Sequence, residues 1–98
     1  MDWKKESYLI TRMQDGDMVR SYVSGITTEI EGLKVGIHKD RSWIVTDLQT
    51  GYLIHADGTQ KACKAWVDDY SDIVVEMITK LGKPSLIAKV EKCEIVDL

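Results

Sequence analysis

Two histidine–carboxylate pairs recur in the chain, His38-Lys39-Asp40 and His55-Ala56-Asp57. Imidazole and carboxylate are competent ligands for zinc and related ions. Histidine is also the side chain whose ordinary pKa suits proton transfer near neutral pH. The chemistry open to such a set is metal binding or general acid–base work. Spacing argues against one shared ion. The two copies end strands that run the same way with a third strand between them, about two strand spacings or ~9.5 Å apart. Ligands to a single zinc each lie ~2 Å from it. Ordinary turn chemistry also accounts for both copies: Lys39-Asp40-Arg41-Ser42 reads as a polar turn, and Asp57-Gly58 as a corner before a helix. No metal ligand is assigned.

Other catalytic patterns are thin. The chain has no GxSxG elbow, no Walker A loop and no GxGxxG fingerprint. Cys63 and Cys93 have no histidine nearby in sequence, and two cysteines are too few for a disulfide framework. Both read as reduced, packed thiols, with Cys63 on the apolar face of a helix. These observations predict a protein that is not an enzyme, with no catalytic residue, no cofactor-binding residue and no cofactor.

The elements that must position these residues follow from periodicity. Asp15-Gly16 between two runs of β-formers signals a tight hairpin, with strands at about 7–14 and 17–24. An extended piece at Ile26–Ile30 follows. Leu33, Val35 and Ile37 alternate with polar positions, as a half-buried strand requires. "SWIVTDL" is apolar on both faces, the mark of a central strand covered on both sides. "GYLIHA" completes a meander after the Gln49-Thr50-Gly51 turn.

From Thr59 the period lengthens. Apolar residues from Ala62 to Leu81 recur at spacings of three and four. Thr59 is the expected N-cap; Gly82 and Pro84 are the stop signals. One continuous helix of about 33 Å is predicted, with Trp66 in the core and no kink at Asp68-Asp69. The tail is ambiguous: a short helix over Leu86–Val90 capped by Ser85, then strand-like text at Cys93–Val96. The fold class predicted is α+β: a single domain over residues 1–98, an antiparallel meander of four to six strands with one long amphipathic helix across one face.

The bulk numbers fit a small globular domain: 98 residues, 44% hydrophobic, 30% charged, one proline, and a net charge of −3. With no signal-peptide or membrane-span pattern, a soluble cytoplasmic protein is expected. The charge balance lacks the basic footprint typical of nucleic-acid proteins. It directs attention instead to Asp68, Asp72 and Glu76, four apart on the polar helix face, with Asp69 beside them. An acidic face steers towards a basic partner. Trp43 is the expected aromatic anchor, since it starts a strand on the face opposite Ile44. The functional expectation is a protein-binding module that uses Asp68, Asp69, Asp72, Glu76 and Trp43; self-pairing into a homodimer is compatible with it. The alternative is a nucleic-acid binder that uses Lys61, Lys64, Lys39 and Arg41.

Two resemblances bear on this choice. "GTQKACKA", with Lys61 and Lys64, resembles the start of the last helix in double-stranded-RNA-binding domains, where lysines meet phosphates. The helix that precedes the strands in that family has strand-like text in its place here. "WIVTDLQTGYLI…GTQKA" resembles small uncharacterised proteins of phages and mobile elements of Gram-positive bacteria, in Trp43, Val45, Thr46, Asp47, Thr50, Gly51 and Thr59. That resemblance covers about 20 residues and implies no activity. It does imply a setting in which small acidic proteins bind and inhibit a host or defence protein, as anti-CRISPR proteins do.

Overall fold

The computed structural model describes Met1–Leu98. Five strands, β1 (Lys4–Gln14), β2 (Asp17–Ile30), β3 (Leu33–Asp40), β4 (Ser42–Asp47) and β5 (Leu53–Asp57), pair in sequence order in one antiparallel sheet. Three helices follow: α1 (Gln60–Asp69), α2 (Ser71–Leu81) and α3 (Pro84–Glu91). The fold is α+β. No helix is long and apolar enough to cross a membrane.

Two tight hairpins set the register. Asp15 and Gly16 take φ of 51° and 86°, and Glu31 and Gly32 take 50° and 81°. Positive φ at both central residues is what a type I′ turn demands, and it matches the twist of the strands. β2 is longer than the sequence pattern indicates, running through Gly25 without a break. Only its last five residues, Ile26–Ile30, pair with β3, while Asp17–Thr27 pair with β1. The β1–β2 hairpin is thereby free to curl over one face of the meander. Thr11 N–H donates to Gly51 O at 2.9 Å and its hydroxyl to Thr50 O at 2.6 Å, fastening the hairpin to the β4–β5 turn. Gly36 permits the close approach: a Cβ there would lie 2.5 Å from the Tyr8 ring.

Each face of the meander is therefore covered by a different element. The helices cover the face of Val35, Ile37 and Val45, which form one core with Cys63, Val67, Val74 and Ile78. The hairpin covers the opposite face, where Tyr8, Ile10 and Val23 pack with Leu48. The two-sided apolar pattern of "SWIVTDL" thus has a cover on both sides, as read from the sequence.

The single long helix is corrected. Tyr70 leaves helical geometry at φ −119°, ψ 32°, and separates α1 from α2. The hydrogen-bond ladder crosses this elbow through Tyr70 N–H to Trp66 O and Val74 N–H to Tyr70 O. An unbroken helix would hold Asp68, Asp72 and Glu76 in repulsive i,i+4 contacts. The elbow puts Asp72 in the first turn of α2, where the helix dipole favours an anion. The tail resolves into both of its readings. α3 forms with Pro84 in its first turn and Lys83 as N-cap in place of Ser85, and Ile95 then makes a parallel bridge to Arg20.

Candidate functional site

The two His-x-Asp pairs are separated by the sheet itself. His38 pairs across the ladder with Ile44, and His55 with the adjacent Val45. Neighbouring strand residues point to opposite faces, so the two imidazoles lie on opposite sides of the sheet. On the helix face, His55 stacks on Trp66, with ring centroids 4.1 Å apart and planes within 3°. Its Nε2 meets Asp57 Oδ2 at 3.3 Å. Asp57 Oδ1 in turn accepts from Gly58 N–H at 2.7 Å, and the Thr59 hydroxyl accepts from Ala62 N–H at 3.0 Å. These bonds hold the Asp57 carboxyl below its usual range, the Gly58 N–H contributing most. The segment His55–Thr59 is a self-satisfied corner that starts α1. On the hairpin face, His38 is 5% exposed and its Nδ1 lies 3.2 Å from Tyr8 Oη. Burial pushes the His38 pKa down and the Tyr8 pKa up, keeping both neutral.

The residues singled out for a protein partner fall into two places. Asp68, Asp69, Asp72 and Glu76 are all exposed, around the elbow between α1 and α2. Glu76 is paired with Lys80 at 3.0 Å. That pair is well exposed, worth a few tenths of a kcal/mol in the manner of i,i+4 helix pairs. The other ion pairs of the molecule, Lys34–Glu6 and His55–Asp57, lie elsewhere. Asp68, Asp69 and Asp72 therefore present uncompensated charge. Trp43 is not with them. It is partly buried against the helix-side core, with the Lys39 ammonium 5.7 Å from its ring centre.

The structure supplies other apolar groups at the elbow. Tyr70 is 50% exposed and Ile73 is 49% exposed. Trp66, expected in the core, is only partly buried and lies between His55 and Tyr70. Sequence reading placed Tyr70 and Ile73 on the buried arc. A signal was present for Ile73: at 100° per residue it falls about 80° from Cys63, at the edge of that arc. Tyr70 sits near the arc's centre, and only the break exposes it.

The basic set is dispersed. Lys61 opens α1 exposed, Lys64 is half-buried, Lys39 rests on Trp43, and Arg41 forms the β3–β4 turn at φ 63°. Comparisons with protein-family models, with curated proteins and with solved structures found no match for this chain.

Proposed function

We infer that the chain is a non-enzymatic protein-binding module whose partner presents a basic surface to the α1–α2 elbow. One observation carries this reading: the elbow exposes Tyr70 and Ile73 amid Asp68, Asp69, Asp72 and Glu76. Apolar anchors ringed by charge are the arrangement that gives interfaces both affinity and steering. The buried anchor supplies most of the binding energy, and the rim charges set the association rate. Two of the acids, Asp68 and Asp69, close α1 at the end where its dipole disfavours anions, and no basic residue offsets them in that turn. The helix is less stable for it, which suits a surface kept for binding. Inhibition of a host or defence protein is the role that the resemblance to small phage proteins suggests for such a surface.

The test is site-specific photocrosslinking in cells, with the reactive side chain placed at Tyr70 and, as control, at exposed Glu29. A discrete protein adduct from position 70 only, lost on Asp69→Lys with Asp72→Lys, is expected. An adduct insensitive to that charge reversal, or equal yield from both positions, refutes the reading.

A further inference from the structure

β2 is bonded on one side to β1 from Asp17 to Thr27. Its other side is taken at two places only. β3 pairs with it from Ile26 to Ile30, and the tail bridges to it at Arg20. In a strand the backbone groups of alternate residues point to the same side. Arg20 turns its N–H and C=O to the tail. Tyr22 and Ser24, further along the same alternation, turn theirs the same way. No strand lies against them there, and both residues are exposed. The gap is built into the chain. Ile37 O passes so close to Gly25 that a Cβ there would strike it, and β3 then leaves β2 to continue with β4. An unfilled stretch of ladder thus sits in the middle of β2, a template for another extended chain.

The register also fixes what surrounds the gap. Lys5 pairs across with Ile26 and Lys39 with Trp43, and Ile26 and Trp43 both pack on the helix-side core. Strand alternation puts Arg20, Tyr22 and Ser24 on the same face as Ile26. Lys5, Arg20 and Lys39 therefore share that face with Tyr22 and Trp43. A groove of about 640 Å³ separates its two walls, with Lys5 and Ser24 on one and Lys39 and Trp43 on the other. None of the three cations joins an ion pair, and Arg20 Nε has no hydrogen-bond partner. β1 and β2 place no carboxylate on this face, in a chain whose net charge is −3.

We propose that the gap in β2 takes an extended acidic segment of a partner protein as an added strand. The N–H and C=O groups of Tyr22 and Ser24 hold its backbone, and alternate side chains give it specificity. Those on the helix side meet Lys5, Arg20 and Lys39. Carboxylates there are matched by three cations that no ion pair of the chain neutralises, and the planar fork of Arg20 suits a carboxylate. A basic strand would find the backbone groups but not the charge. This surface belongs to β1, β2 and β3 and is opposite in charge to the α1–α2 elbow, so it does not rest on the role given to the elbow.

The test is an amide-resolved NMR titration of the whole chain at fixed ionic strength, with a short capped peptide of alternating valine and glutamate. Saturable shifts and slowed hydrogen exchange at Tyr22 and Ser24 are expected. The same peptide with methylated backbone nitrogens loses the binding. A valine–lysine peptide binds about tenfold more weakly, the loss of one charge-assisted contact. Ser24→Pro removes one free donor and no ladder bond, and weakens binding about twofold to tenfold, the worth of one net hydrogen bond. Where that variant loses the wild-type spectrum, Lys5→Glu with Lys39→Glu serves instead, weakening the glutamate peptide and strengthening the lysine one. Protection at Lys5, Ser7 and Leu9 on the outer edge of β1 instead of at the gap overturns the proposal. So do equal binding of the two peptides, binding indifferent to methylation, and shifts that rise without saturation.

Discussion

His38 shows how one buried side chain sets a property of the whole fold. Its ring is enclosed by the hairpin, and desolvation lowers its pKa from the ordinary 6.5, with Asp40 acting against the shift. The unfolded chain therefore takes up the proton first. The stability that His38 contributes as a neutral group is complete above about pH 6.5, where both states are unprotonated. It falls as pH drops below that value, and the fall ends near the folded pKa. Glu6 and Asp57 act in the same direction, since hydrogen bonds lower both, but they are partly exposed and start to matter only as pH falls below their ordinary 4.5 and 3.8. Thermal melts between pH 7.5 and 5 should thus show a falling Tm that belongs to His38. His38→Gln, which retains a hydrogen-bonding group opposite Tyr8, should flatten the curve over that interval. An unchanged slope in the variant would mean that another group carries the titration.

At the scale of elements, most of the strand pattern was legible because its causes are local. Asp15-Gly16 fixes one turn, alternation fixes β3, and a doubly apolar run marks β4 as central. Thr59 caps α1 as its type predicts. What could not be read was the elbow. Cys63, Val67, Val74 and Ile78 keep an unbroken apolar spacing, and all four are buried. Periodicity reports which side chains face the core, not whether the backbone between them stays helical. The cue lay in the charges of Asp68, Asp72 and Glu76, which repel at i,i+4 in one unbroken helix, whereas Asp72 sits well in the first turn of a new one. The faces of α2 can be checked directly. Ile78→Ala empties a fully buried site and should cost ~2–5 kcal/mol. Ile73→Ala, on the exposed side, should stay within ~0.5 kcal/mol. Denaturant unfolding with an unchanged m value measures both; similar costs at the two sites would refute the placement of the elbow surface.

At the scale of the molecule, the C-terminal tail docks on the β1–β2 hairpin. Arg20 N–H donates to Glu94 O at 2.8 Å, and Val96 N–H donates to Arg20 O at 2.8 Å. Arg12 reaches Asp97 O at 3.0 Å. The tail thereby pairs part of the β2 edge that β3 leaves open, as edge strands need. It also draws α3 in, where Val90 is fully buried. Val96→Pro removes the donor to Arg20 O and leaves that carbonyl without its strand partner. The expected cost is about 0.5–1.5 kcal/mol, the net worth of a typical hydrogen bond. Amide exchange locates the effect better than total stability does. Arg20 should exchange faster in the variant, because its own N–H depends on the same tail staying docked, while Thr28, held in the β2–β3 ladder, should keep its protection. Equal acceleration at both amides would show that the tail is part of the global unfolding unit. Acceleration at neither would show that the β2 edge does not depend on it.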